Sequence, residues 1–205
     1  MKSKKNLLEQ LKNLPHFSKK TTFELADQLG LKKSTINTYV SRFLKKKEIL
    51  ALKNGLYISG DFFEKNKGDI SYLFYLANVL RKPSYISSWT ALQYYNLTTE
   101  IIRSFTSVSL KVTRDYETKA GTFSYQSIKK DLFSDYSLVE GKFNFFIASP
   151  SKALFDLLYF RTRQFRGIRR NEIAKIITEL RIDFEEMEQS EQEKFHTMIK
   201  TQIYE

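Results

Sequence analysis

The spacing of apolar residues in the first sixty positions predicts three helices. The first helix is predicted to end at Pro15, and a second to begin at Thr21, where Glu24 completes a capping box. Gly30 supplies the left-handed residue that closes this second helix, and a third helix is predicted to begin at Ser34. Apolar positions at helical spacing mark the buried faces of the first and third helices: Leu7, Leu8, Leu11 and Leu14, then Ile36, Val40, Phe43 and Leu44.

A hairpin is predicted directly after the third helix. Two apolar runs, at 49–52 and 56–58, flank the dipeptide Asn54-Gly55, whose two residues both suit the positive φ of a tight hairpin turn. Three helices followed by a hairpin are typical of a winged helix-turn-helix, in which the third helix enters a DNA groove. We therefore expect a DNA-binding domain over residues 1–64.

The polar face of the third helix carries the candidate contacts to DNA. Small hydrogen-bonding side chains near its start suit base edges, and cations farther along suit phosphates. An ordinary amphipathic helix has a similar face, so the flanking helix and hairpin are what favour DNA. The candidate DNA-binding residues are Lys33, Ser34, Thr35, Asn37, Thr38, Ser41, Arg42, Lys45 and, near the predicted hairpin turn, Lys53.

The charge of the chain is concentrated in the same segment. Residues 1–60 hold 13 Lys and Arg against 4 Asp and Glu, a balance of +9, whereas the formal net charge of all 205 residues is +11. A basic helix lying on a membrane surface is the competing interpretation, but no segment pairs a basic face with a strong Trp/Phe/Leu face. The concentrated charge thus supports a nucleic-acid partner.

The remainder of the chain predicts a second domain, over residues 69–205. The glycine-bounded segment 60–68 is a plausible joint between the two domains, and Asp69 caps a helix that ends before Pro83. A short helix is predicted at 88–95, strands at 104–112, 121–128 and 141–148, and a helix after Ser149-Pro150. Two further helices, at 171–180 and 183–203, follow. The expected fold class is α+β: a winged helix-turn-helix and then a mixed α/β domain with a small sheet and C-terminal helices.

Composition excludes several kinds of chemistry. The chain has no cysteine, so disulfides, thiolate nucleophiles and cysteine-ligated zinc are impossible. Neither His16 nor His196 has a partner at metal-ligand spacing, and no glycine-rich phosphate loop occurs, so we expect no metal, no cofactor and no enzymatic activity. Ser149 and Lys152 match the Ser-x-x-Lys pattern of penicillin-recognising enzymes, but the companion motifs are missing and helix capping explains Ser149.

The location of the protein is predicted from two negative signals. The first residues contain no apolar core of signal-peptide length, and the longest apolar run, 72–77, is far shorter than a bilayer-crossing helix. We therefore expect a cytoplasmic protein without a membrane partner.

Four strings resemble one family, the AbiEi-type antitoxins of type IV toxin–antitoxin (abortive infection) systems. They are NGLY at 54–57, YIS at 85–87 with the alanine and leucines at 91, 92 and 97, VTR at 112–114, and ASPSKALFD at 148–156. The family commonly has an acidic residue where Ser151 stands, which weakens any role for an acid at that position. The resemblance implies a repressor that binds inverted repeats in its own promoter. It also implies antagonism of a nucleotidyltransferase toxin without a stable complex.

The best candidates for a functional patch in the second domain are four charged residues. Lys152 and Asp156 are four apart on a predicted helix, and Arg161 and Arg163 begin the arginine-rich run 161–170. Each set has a plainer interpretation: the first could be a surface ion pair, and the arginines could pair with the acidic tail, residues 171–205, of net charge −5.

Two other functions fit the same sequence. The second domain could sense a small molecule, making the chain a transcription factor without a toxin partner. The chain could instead be a nucleic-acid-processing enzyme that uses the winged helix for docking. A nucleotidyltransferase-like reading frame immediately downstream would favour the antitoxin.

Overall fold

The computed structural model describes residues 2–101 and 103–203, with side chains described for 6–101, 103–169 and 171–202. This part of the chain is a mixed α+β fold with nine α-helices and two β-sheets. The helices are α1 (Lys2–Lys12), α2 (Lys19–Gln28), α3 (Lys33–Lys45), α4 (Gly60–Asn66), α5 (Ile70–Leu80), α6 (Ser88–Tyr94), α7 (Pro150–Arg161), α8 (Arg170–Glu179) and α9 (Gln189–Ile203). The strands are β1 (Phe17–Ser18), β2 (Ile49–Lys53), β3 (Leu56–Ser59), β4 (Ser84–Ile86), β5 (Phe105–Ser109), β6 (Arg114–Thr118), β7 (Gly121–Ser127), β8 (Tyr136–Val139) and β9 (Phe145–Ala148).

The first sheet is antiparallel and follows the order β1-β3-β2. The register of β2 against β3 shifts between Ala51 and Lys53, next to the turn. Of the two turn residues, Gly55 has a positive φ (76°) and Asn54 does not, so the prediction of positive φ at both was wrong. Helices α1, α2 and α3 cover one face of this sheet and form a first core with it: Leu7, Leu8, Leu11, Phe17, Ala26, Ile36, Phe43, Ile49 and Tyr57.

The second sheet has six strands in the order β6-β7-β5-β4-β9-β8. Two pairs, β4 with β9 and β5 with β7, are parallel, and the others are antiparallel. The sequence predicted a small sheet that could be mixed or antiparallel, and the structure shows that it is mixed and has six strands. The predicted strands correspond to β5, β7 and β9. The pattern missed β6 and β8, since both have mostly exposed or half-buried residues and show no buried stripe.

Three predicted helix boundaries need correction. Ser18, not Thr21, caps α2, because the Ser18 hydroxyl accepts a hydrogen bond from the Thr21 amide at 3.0 Å. Helix α3 begins at Lys33, so Ser34 lies inside the helix and is not its cap. The last helix, α9, begins at Gln189, because residues 184–186 form a separate 3₁₀ turn. The caps at Asp69 and Ser149 are confirmed.

The β2–β3 hairpin belongs to two cores at once. Ile49 and Tyr57 point into the first core, whereas Leu56 and Ile58 pack into a second core shared with α4 to α9 and the six-stranded sheet. The segment interpreted as a joint, 60–68, is helical from Gly60 to Asn66 and adds Phe63 to the second core. The first sheet is therefore enclosed between the N-terminal helices and the rest of the chain.

Polar contacts reinforce this junction. The Tyr72 hydroxyl donates to the carbonyl of Pro15 at 2.7 Å, and the Tyr75 hydroxyl is hydrogen-bonded to His16 Nδ1 at 2.5 Å. Lys12 forms an ion pair with Asp61 at 2.9 Å. Helix α4 is thus tied to α1, and α5 is tied to the loop that follows α1.

Within the part of the chain that the structure describes, no helix combines the length and apolar character that crossing a bilayer requires.

Candidate nucleic-acid interface

Helix α3 presents a continuous polar face to solvent. Its opposite side is held by Ile36 and Phe43, which are 1% and 0% exposed in the first core. Gly30 (φ 66°) turns the chain from α2 into α3, and Leu31 donates its amide to the Ala26 carbonyl at 3.0 Å. The predicted DNA-binding residues on α3 are exposed, apart from the half-buried Thr35: Lys33, Ser34, Asn37, Thr38, Ser41, Arg42 and Lys45.

The cations on and around α3 are not paired with any anion among the side chains that the structure describes. Among the described residues, none of six neighbouring cations makes an ion pair or a side-chain hydrogen bond: Lys32, Lys33, Arg42, Lys45, Lys46 and Lys47. Such an arrangement leaves their charge available to an external anion. A duplex backbone, with one negative charge per about 1.7 Å of its axis, is the anion that matches a row of this kind.

Lys53 does not belong to this face. Its ammonium donates a hydrogen bond to the carbonyl of Leu80, at the end of α5. Burial lowers the pKa of the Lys53 ammonium, and the neighbouring cations Lys111, Arg81 and Arg114 lower it further, while Tyr116 acts in the opposite direction. Lys53 is nevertheless exposed, so its contact with phosphate stays a prediction, and that contact requires the ammonium to leave the Leu80 carbonyl.

Lys152 and Asp156 are also not on a surface. The two side chains are 2% and 0% exposed, and Lys152 Nζ lies 2.7 Å from Asp156 Oδ1. Lys152 also donates to the Leu132 carbonyl at 2.7 Å, while Asp156 Oδ2 accepts from Ser87 (2.7 Å) and Tyr85 (3.1 Å). Prediction of a surface pair or exposed patch at these two residues was wrong, because α7 is buried on nearly all sides.

The titration of this cluster follows from its burial. Burial is the largest influence on Asp156 and raises the pKa of its carboxyl group. The ammonium of Lys152 and the hydroxyls of Ser87 and Tyr85 act in the opposite direction, since they stabilise the carboxylate. Burial and the neighbouring carboxylate also raise the pKa of Tyr85 well above its ordinary value. The cluster is therefore an internal polar anchor joining α7 to β4.

The Ser149–Lys152 pattern does not assemble a nucleophile and base. Ser149 Oγ accepts a hydrogen bond from the backbone amide of Lys152 at 3.3 Å and lies 3.0 Å from Ser151 Oγ. The ammonium of Lys152 is committed to Asp156 and Leu132 instead. Ser149 thus acts as the cap that its sequence context predicts.

An acid reaches the start of α7 from another helix. Glu191, on α9, accepts hydrogen bonds from the Ser151 amide (3.0 Å) and hydroxyl (2.6 Å), and from Lys194 Nζ (2.6 Å). Burial acts to raise the pKa of Glu191, but the bonds from Lys194 and Ser151 outweigh it and lower the pKa to about 2. A carboxylate therefore occupies the helix N-terminus although position 151 is serine. No sequence pattern pairs residues 151 and 191.

The arginine-rich run remains on the surface. Arg161 and Arg163 are exposed, and Arg163 lies in a turn where three successive residues, 163–165, have positive φ. Arg161, Arg163, Arg166 and Arg169 form no ion pair with the acidic tail among the described side chains. Of the four predicted patch residues, only the two arginines are exposed, and the structure separates them from the buried pair.

No group of three or more His, Asp and Glu side chains in the described residues is placed to hold a metal ion.

Comparison of the chain with protein-family models, and with curated protein sequences, finds no match.

Proposed function

We propose that residues 1–64 are a winged helix-turn-helix that binds double-stranded DNA, and that the chain is a cytoplasmic transcriptional repressor of its own operon. The observation that carries the proposal is the exposed face of α3, where small polar side chains lie beside cations that form no ion pair among the described residues. Ser34, Asn37, Thr38 and Ser41 are suited to base edges. Arg42 and Lys45 lie one and two turns beyond Thr38 and are suited to bases or phosphates.

The role of the second domain is proposed from the family resemblance. The strings at 85–87, 112–114 and 148–156 resemble AbiEi-type antitoxins, so we propose that residues 69–205 oppose a nucleotidyltransferase toxin without binding it stably. The strings at 85–87 and 148–156 meet in the fold, where they form one buried hydrogen-bonded cluster of Tyr85, Ser87, Lys152 and Asp156. Their use is to hold the fold, so any toxin-directed surface has to lie elsewhere in the domain.

DNA binding is tested by titrating the full chain into a labelled duplex from upstream of its own gene. We expect Arg42→Ala to weaken binding by about 1–3 kcal/mol. Arg181→Ala removes the same charge from a side chain that is 77% exposed and lies outside residues 1–64, and it should have no effect. If about five phosphates are neutralised, log affinity should fall with log salt at a slope of about −4 to −5. Equal affinity of wild-type protein and the Arg42 variant, with both folded, would remove α3 as the reading helix.

The antitoxin role needs a separate experiment. Where the neighbouring gene encodes a nucleotidyltransferase-like protein, the two proteins are co-expressed and growth is scored. We expect rescue by wild-type protein and also by Arg42→Ala, because the second domain does not need DNA to act. Loss of rescue in a folded Arg42 variant would show that repression alone explains the antagonism.

A further inference from the structure

A cavity of about 380 Å³ lies between α5 and the β8–β9 edge of the second sheet. Its walls are largely aromatic: Tyr75 on α5, Phe133 before β8, Tyr136 on β8 and Phe146 on β9. Tyr136 and Phe146 are 36% and 41% exposed, so large apolar rings stand open at its mouth. Cavities of 300–1,000 Å³ with such walls are typical of small-molecule sites.

Two buried polar atoms at this cavity have no hydrogen-bond partner among the described residues: Asn78 Nδ2 and Ser84 Oγ. Asn78 and Ser84 are 7% and 6% exposed, and both line the cavity. Asn78 Oδ1 accepts from the Phe146 amide at 2.6 Å, which fixes the orientation of the side chain and leaves its NH₂ group as the free end. Unpaired buried donors are costly, and a ligand that accepts from them removes that cost.

A cation stands at the rim of the same cavity. Lys82 is exposed, and its ammonium has no anionic partner in the described part of the chain. Its charge is felt by the neighbouring His16: burial lowers the pKa of that imidazole, and the positive charge of Lys82 lowers it further. The cavity therefore combines aromatic faces, two unused polar groups and one unused positive charge.

We infer that this cavity binds a flat heteroaromatic molecule that carries a phosphate or carboxylate group. The ring lies against Tyr136 and Phe146, and the anionic group meets Lys82. Asn78 Nδ2 and Ser84 Oγ each expose less than 1 Å², so they lie just behind the cavity wall, and an acceptor on the ring edge reaches them after a small movement of that wall. The site is independent of the proposed DNA-binding face, because none of these residues lies on α3.

The test uses the full chain with anionic probes and with uncharged probes. Binding is measured by calorimetry with the four common nucleoside 5′-monophosphates, their uncharged nucleosides, and indole-3-carboxylate. We expect at least one anion to bind with a Kd below about 1 mM, and more tightly than its uncharged counterpart where one is tested. Binding of the nucleotides alone identifies phosphate as the anionic group, and binding of indole-3-carboxylate alone identifies carboxylate.

Three variants locate the site. Lys82→Met should weaken binding about tenfold or more and Ser84→Ala about fivefold, whereas Lys175→Met, the same change on an exposed α8 lysine, should leave it unchanged. Ser84→Ala should also leave the unfolding midpoint unchanged or raised, because the lost hydroxyl has no partner in the fold. The inference is overturned if no probe binds saturably up to about 5 mM. It is equally overturned if Lys82→Met and Ser84→Ala bind as wild type.

Discussion

Lys152→Met removes one half of the most deeply buried ion pair of the described chain. Methionine retains most of the apolar stem, so the change removes the ammonium with little loss of packing. In the folded protein Lys152 Nζ is 2.7 Å from both Asp156 Oδ1 and the Leu132 carbonyl. After the substitution, Asp156 keeps the hydroxyls of Ser87 and Tyr85 but faces no positive charge, and the Leu132 carbonyl loses this donor.

The expected cost at neutral pH is about 3–5 kcal/mol of unfolding free energy, because a buried carboxylate is left without its counter-ion. A matched control is Lys175→Met. Lys175 and Glu179 have the same i, i+4 spacing on a helix, but their side chains are 78% and 58% exposed and 3.9 Å apart. That change should cost no more than about 0.5 kcal/mol. Urea unfolding followed by circular dichroism measures both.

The pH dependence identifies the charge as the cause. Burial raises the pKa of Asp156 and Lys152 opposes it, so removal of the ammonium raises this pKa further. Because the folded pKa of Asp156 lies above its unfolded value of about 3.9, the contribution of this carboxyl group to the unfolding free energy is fully present below about pH 3.9. That contribution is lost as pH rises, by up to about 1.4 kcal/mol per pH unit. The deficit of the variant should therefore be smaller at pH 5 than at pH 7.5.

A second variant keeps the prediction testable if Lys152→Met does not fold at neutral pH. Combining it with Asp156→Asn removes the orphaned charge and should restore about 2 kcal/mol or more relative to Lys152→Met alone. A single variant within about 1 kcal/mol of wild type at pH 7.5, or a deficit that is the same at pH 5 and 7.5, would refute the account of a charge held by its counter-ion.

Three further predictions follow from other contacts. Glu191→Gln should lower the unfolding free energy by about 2 kcal/mol at pH 7. Because the folded pKa of Glu191, about 2, lies below its unfolded value, the difference in urea midpoint between the variant and wild type should shrink as pH falls from about 4.5 toward 2. Lys45→Met should reduce the slope of log affinity for DNA against log salt by about 0.9. Lys53→Met should leave that slope unchanged but lower the unfolding free energy by about 1 kcal/mol, because the Lys53 ammonium is hydrogen-bonded to the Leu80 carbonyl. An isolated 1–66 fragment should bind an apolar dye strongly, since Leu56, Ile58 and Phe63, at most 8% exposed in the full chain, lose their cover; a folded fragment that binds no dye would contradict the shared core.

The sequence predicted elements whose signal is local. The helical spacing in α1 and α3 and the caps at Asp69 and Ser149 depend on neighbours a few residues apart. The strand predicted at 104–112 was only partly right, because β5 ends at Ser109 and Leu110 and Val112 are 41% and 76% exposed. Helix α4 was not predicted because its segment is short and polar between two glycines, and its buried residues are recognised only once the second core is present.

The residues of the candidate sites were likewise predicted correctly where the signal is local and wrongly where it is not. The face of α3 was predicted correctly as exposed, because a helical period separates the apolar stripe from the polar one. Lys152 and Asp156 were misplaced because charged residues four apart on a helix are nearly always on a surface. They are covered by Tyr85 on β4 and by Ser87, which directly follows β4, and both lie about seventy residues earlier in the chain. Contacts over that distance leave no periodic trace.

The enclosed position of the β2–β3 hairpin sets how the proposed DNA-binding module can work. Leu56 and Ile58 face the second core and Lys53 is bonded to Leu80, so the hairpin cannot swing independently toward a phosphate backbone. Most of the electrostatic attraction must then come from α3 and the three lysines that follow Leu44. The same enclosure ties the loop between α1 and β1 to α5, through Tyr72 and Tyr75. Because Tyr75 also forms a wall of the aromatic cavity, a ligand held there adjoins the contact between α5 and the N-terminal helices.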